Sequence, residues 1–121
     1  MADDFQDIFN ALHPLYRVHA DACVVLRNEA TAYYLGTHEV RAKDGYRTDS
    51  GGVEIKKAYV SAHLMPVYVH PDMLDQISPA LRKRMQGKSC FNFRTMDRAL
   101  FEELNTLITA GVARFKQDGR L

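Results

Sequence analysis

Val53-Glu54-Ile55-Lys56-Lys57-Ala58-Tyr59-Val60-Ser61-Ala62-His63-Leu64-Met65-Pro66 is the stretch whose reading decides the fold. Two runs of β-forming residues, Val53 to Lys56 and Tyr59 to Met65, are separated only by Lys57-Ala58. That spacing predicts a tight antiparallel hairpin ended by Pro66. A period of two along the second run sets Val60, Ala62 and Leu64 on one face and Tyr59, Ser61 and His63 on the other. The same alternation recurs in Ser89 to Phe93, where Phe91 and Phe93 interleave with Cys90 and Asn92. If the two strands are neighbours, Ser61, His63, Cys90 and Asn92 share one polar face.

Before this hairpin, Phe5, Ile8, Phe9, Leu12 and Tyr16 recur at helical spacing, with Asp3 or Asp4 as N-cap and Pro14 loosening the far end. Cys23 to Leu26 and Thr31 to Leu35 read as a first hairpin joined by Arg27-Asn28-Glu29-Ala30. From Thr37 to Gly52 the chain is polar and aperiodic, and Lys43-Asp44-Gly45 and Asp49-Ser50-Gly51-Gly52 are turn formers. One long loop is expected there, and because loops of that length are uncommon in compact domains unless mobile or functional, it is expected to flank a binding site. After Pro66, short helices are expected at Pro71 to Ile77 and at Pro79 to Met85, the second capped by Ser78 and closed by Gly87. Asp97 caps a closing helix whose Leu100, Leu104, Leu107, Ile108, Gly111 and Phe115 form one stripe. The fold class that follows is α+β: two layers, one antiparallel sheet covered on one face by the N- and C-terminal helices, in a single domain over residues 1–121.

A chain of 121 residues with 46% hydrophobic and 26% charged composition can build one core without a disulfide or structural metal. Cys23 and Cys90 therefore read as free thiols, and a reducing cytoplasm is the expected location. A net charge of +1 offers no global field for nucleic acid or a membrane surface, and no apolar run reaches the ~18 residues of a membrane span. Any charged partner must be met by a local patch.

Candidate chemistry gathers in the same segment. Gly87-Lys88-Ser89 resembles the end of a phosphate-binding loop, but that motif requires glycine where Arg82 stands and a helix where a strand is expected. Lys57, Tyr59, Ser61, His63, Lys88, Cys90 and Asn92 form the candidate ligand-binding set. Each also has a plainer role: Ser61 and His63 as a solvated face or an internal hydrogen-bonded pair, Cys90 as a small buried hydrophobe. A reactive Cys90 would need a lowered pKa, which Lys88 could supply if close. Arg82, Lys83, Arg84, Lys88, Arg94 and Arg98 could hold an anion or simply form a solvated basic face. Asp3, Asp4 and Asp7 offer oxygen ligands to a metal, or complement the helix dipole.

Residues 55–68, Ile77-Ser78-Pro79-Ala80-Leu81 and Gly87 to Phe93 together resemble the small bacterial YdhG-like proteins, a domain family of unknown function. The resemblance implies a compact α+β domain with a frataxin-like arrangement. It also implies, through relatives described as iron chaperones, delivery of iron to cluster or haem assembly. A frataxin-like iron site would draw on Asp3, Asp4, Asp7 and Asp21. The reading that follows from the residues themselves is a non-enzymatic binding domain whose polar pocket takes a small anionic ligand or a partner peptide. No cofactor is identified, and neither nucleic acid nor membrane is expected as a partner.

Overall fold

A computed structural model of the chain describes residues 4–121. Helix α1 (Phe5–Arg17) starts at Asp4, whose side chain accepts from the Gln6 amide at 2.8 Å. Pro14 does not end it, since the proline sits in the last turn and costs only one backbone bond. A short 3₁₀ turn (Ala20–Ala22) leads into β1 (Val24–Glu29) and β2 (Ala32–Val40). Then come β3 (Arg47–Ile55), β4 (Val60–Leu64), α2 (Met65–Val69), a 3₁₀ segment (Pro71–Gln76), α3 (Pro79–Arg82), β5 (Met85–Gln86), β6 (Cys90–Phe93) and α4 (Arg98–Gln117). The six strands form one antiparallel sheet in the order β1-β2-β3-β4-β6-β5.

Both terminal helices lie on one face of this sheet. Ile8, Phe9, Leu12 and Tyr16 of α1 and Phe101, Leu104, Leu107 and Ile108 of α4 join Tyr33, Leu35, Val53, Val60, Ala62, Leu64, Phe91 and Phe93 in one buried cluster. Burying a side chain of this kind contributes roughly 1.5–3 kcal/mol, so the cluster is what holds the two layers together. Phe101 adds to the expected α4 stripe by meeting Phe93 edge-on at 5.0 Å, and Leu100 stays half-exposed. Asp97 caps α4 through the Leu100 amide at 3.1 Å.

The segment Thr37 to Gly52 is not a loop. β2 runs on to Val40 and β3 begins at Arg47, so the connection shrinks to residues 41–46. That turn is closed by Arg41 N–H donating to the Tyr46 carbonyl at 2.7 Å, by an Arg41–Asp44 ion pair and by Gly45 at φ 73°. Gly51 and Gly52 are strand residues for a steric reason. A Cβ on Gly51 would lie 2.5 Å from the His63 carbonyl oxygen, and one on Gly52 would collide with the Tyr33 carbonyl and the Tyr34 ring.

Smaller shifts have similar causes. The first hairpin turns at Ala30-Thr31, because β1 continues through Arg27, Asn28 and Glu29. The strand expected to reach Met65 stops at Leu64, since Pro66 is accommodated in the first turn of α2. Helix α3 ends at Arg82, and Met85 pairs with Phe91 as an edge strand. Ser78 caps α3 as expected and is itself gripped by Glu103 of α4, whose two oxygens accept from its amide and hydroxyl at 2.6 Å each.

Candidate functional site

The sheet face turned away from the helices carries the polar residues. Cross-strand register aligns Tyr34, Gly52, His63 and Cys90 in a row over β2, β3, β4 and β6, and Glu54, Ser61 and Asn92 in the next. Because Val60, Ala62, Leu64, Phe91 and Phe93 face the helices, alternation sends Ser61, His63, Cys90 and Asn92 to this open face.

His63 and Cys90 meet there. The Cys90 Sγ lies 3.4 Å from His63 Nδ1, and the other ring nitrogen, Nε2, lies 2.6 Å from Asp49 Oδ2. Asp49 reaches this position through a β-bulge. Leu35 pairs with Gly51 but Gly36 pairs with Asp49, so Ser50 is an extra residue in β3. Strict alternation from Val53 and Gly51 would aim Asp49 at the helices; the extra residue turns it toward His63. Ser50 and Gly51 both remain on the helix side, where they line a small cavity with Tyr16 and Leu35. From below, Tyr16 packs against Gly51 and donates its hydroxyl to the His63 carbonyl at 3.1 Å. From above, the Tyr34 ring lies over Gly52 with its hydroxyl donated to Glu54 at 2.7 Å.

The electrostatics of this trio follow from the contacts. Burial opposes charge on His63, but the hydrogen bonds and charges of Asp49 and Cys90 outweigh it and lift the imidazole pKa from 6.5 to about 9. The hydrogen bond to His63 is the main cause holding the Cys90 thiol below its ordinary pKa; burial opposes it, and Ser61 and Ser89 assist. Cys23, in the helix-side core, is displaced the other way, because burial raises it. Both thiols are free. The arrangement places the thiol beside an imidazole oriented by a carboxylate, and each of the two contacts shifts its partner toward the charged form.

A second group lies two residues further along β6. Tyr59, Lys83, Arg84, Met85, Gln86, Asn92 and Arg94 line an open cleft of about 420 Å³, in which Asn92 donates to Gln86 at 2.6 Å. Among the described residues, Lys83, Arg84 and Arg94 have no acidic partner within ion-pair distance. The lining of this cleft does not include His63 or Cys90.

The candidate set read from the sequence therefore divides. Ser61, His63 and Cys90 stand together, Tyr59 and Asn92 belong to the cationic cleft, and Lys57 is exposed in the β3–β4 turn. Lys88 does not serve Cys90; it lies in the β5–β6 turn and lines a different groove with Val67, Tyr68, Pro71, Leu74, Arg82 and Met85. The sequence reading missed Asp49, because Asp49-Ser50-Gly51-Gly52 has turn composition and no alternation marks a bulge. Of the acidic residues considered for iron, Asp3 lies outside the described residues and Asp4 is engaged as the α1 cap. Asp7 and Asp21 are exposed, and no group of three or more His, Cys, Asp or Glu among the described residues is placed to hold a metal ion. None of the described helices is long and apolar enough to cross a membrane.

Compared with protein-family models, curated proteins and solved structures, the chain gives no significant match.

Proposed function

We propose that this is a cytoplasmic binding domain that takes a small anionic ligand on the open face of its sheet. The observation that carries the reading is the cleft lined by Lys83, Arg84 and Arg94, none of which has an acidic partner within ion-pair distance among the described residues, together with the hydrogen-bonding groups of Tyr59, Gln86 and Asn92. Cations held close together without counter-charges repel one another, and an anion relieves that repulsion. Two arginine forks suit a carboxylate or phosphate, which they can engage through paired N–H donors. Among the described residues none donates to the buried Asn92 Oδ1, which could accept from a ligand hydroxyl. The second reading, a peptide partner, draws on the groove of Val67, Pro71, Leu74 and Lys88, over which Tyr68 is 54% exposed.

The test is titration of citrate and of inorganic phosphate into isotopically labelled protein, followed by amide and side-chain NMR shifts. Saturable shifts at Tyr59, Arg84, Gln86, Asn92 and Arg94, weakened by added salt and abolished in Arg84→Ala/Arg94→Ala, are expected. Absence of saturation at concentrations on the order of 1 mM or more, or equal shifts in the double variant, overturns the reading.

A further inference from the structure

Two cysteines of this chain occupy opposite environments. Cys23 is buried in the helix-side core, whereas Cys90 is half-buried on the open face within reach of His63 and, through it, Asp49. The side chains of His63 and Asp49 keep 16% and 20% of their surface, so this trio borders solvent. The bulge at Ser50 exists at the one place where it delivers a carboxylate to the imidazole. A nucleophile, a base and an orienter in hydrogen-bonded sequence are the parts of an activated thiol.

We propose that Cys90, His63 and Asp49 form a nucleophilic thiol site that exchanges with low-molecular-weight disulfides, so that the domain carries a reversible mixed disulfide on Cys90. In the forward step the Cys90 thiolate attacks one sulfur of R–S–S–R. A bond forms between Sγ and that sulfur, the original S–S bond breaks, and its electron pair leaves with the second sulfur as a thiolate. That leaving group takes the proton from His63 Nδ1 and departs as R–SH. Cys90 is oxidised and the small disulfide is reduced, so no further oxidant is needed. A second small thiol reverses the step.

Resolution within the chain is ruled out by geometry. Cys23 immediately precedes β1, and β1 is separated from β6 by four strand spacings, about 19 Å, against the ~7 Å limit on Cα separation in a disulfide. Cys23 also faces the opposite side of the sheet. The adduct therefore persists until an external thiol removes it.

The exchange chemistry does not require the cationic cleft. Preference for a carboxylate-bearing disulfide does, because Lys83, Arg84 and Arg94 lie just beyond Asn92 on the same face; that preference rests on the anion-binding reading above. The groups that surround the thiol are His63 and Ser61 from β4, Ser89 beside it, Asp49 from β3 through His63, Tyr34 from β2, and Tyr16 from α1 on the far side of the sheet. Neither tyrosine ionises near neutral pH, since burial raises both.

The experiment treats the whole protein with oxidised glutathione and, separately, with the uncharged hydroxyethyl disulfide, following intact mass and locating the adduct by peptide mapping. Both reagents should modify Cys90 and leave Cys23 untouched. From about pH 8 to about pH 6 the wild-type rate should fall by a smaller factor than that of an unperturbed thiol. An unperturbed thiol of pKa ~8.5 loses roughly 80-fold over that range, and the His63→Asn variant should behave so. The urea-unfolded wild-type chain provides the same comparison if that variant does not fold. Oxidised glutathione reacting about tenfold faster than hydroxyethyl disulfide, with the advantage lost in Arg84→Ala/Arg94→Ala, supports both readings; equal rates support the thiol site and count against the anion cleft. A wild-type pH profile as steep as that of the unfolded chain, or modification of Cys23 in preference to Cys90, overturns the proposal.

Discussion

Replacing Asp49 by asparagine tests the carboxylate–imidazole bond directly. The pair is 2.6 Å apart and both side chains are largely covered, so its hydrogen bond is charge-assisted and little screened. Raising the His63 pKa from 6.5 to about 9 corresponds to roughly 3 kcal/mol of preference for the folded imidazolium, shared between Asp49 and Cys90. Asparagine still offers a neutral acceptor, so the charged part attributable to Asp49 is about 2 kcal/mol. Its pH dependence has a definite sign. The folded pKa lies above the unfolded one, so the contribution is complete below pH 6.5 and disappears as the pH rises through about 9. Cys90 titrates in the opposite sense, because its folded pKa is depressed and its contribution is lost as the pH falls. The comparison therefore belongs in a Cys90→Ser background, with and without Asp49→Asn, by urea denaturation followed by circular dichroism. A gap of about 2 kcal/mol near pH 6, narrowing to ~0.5 kcal/mol near pH 10, is expected. A gap that is constant across this range would mean that Asp49 acts only by packing, and the electrostatic account of the trio would be wrong.

Two further substitutions probe what holds the trio in place. Tyr16→Phe deletes the hydroxyl that donates to the His63 carbonyl and should cost about 1 kcal/mol in denaturant midpoint experiments; no change would show that the buried carbonyl is satisfied without it. Gly52→Ala forces a methyl against the Tyr33 carbonyl and the Tyr34 ring and should cost about 2 kcal/mol or more, with a change in the near-ultraviolet signal of Tyr34. Wild-type stability in that variant would contradict the close approach of β2 and β3.

Most of the architecture was legible because it is written in short-range periodicity. The α1 residues Ile8, Phe9, Leu12 and Tyr16 and the α4 residues Leu104, Leu107 and Ile108 repeat at helical spacing, and each stripe is buried as that spacing requires. Asp4, Ser78 and Asp97 supply caps of the expected kind. The β3–β4 hairpin follows from alternation together with a two-residue interruption, and it closes with Lys56 N–H donating to the Tyr59 carbonyl at 2.8 Å. The strand segments from Thr37 to Val40 and from Arg47 to Gly52 were not legible, because polar and glycine residues carry no apolar period. What fixes them is tertiary: Thr37 donates to the Thr48 carbonyl across the two strands at 2.7 Å, and the glycines admit neighbouring backbone and rings.

The site divides along the same line. Ser61, His63, Cys90 and Asn92 could be placed on one face because each alternates with a core residue, and pairing of His63 with Cys90 and of Ser61 with Asn92 then brings them side by side. Asp49 could not be placed by any rule of period two, since the extra residue at Ser50 reverses the phase of everything before it. A bulge is chosen by long-range partners: Gly36 and Leu35 on β2 set the register, and Tyr16 on α1 occupies the space that Gly51 leaves. Without that extra residue Asp49 would point into the helix layer, an unpaired carboxylate in an apolar core at a cost of several kcal/mol. With it, the carboxylate finds the imidazole, the imidazole finds the thiol, and a strand irregularity that weakens the local ladder becomes the means by which three residues from three strands act together.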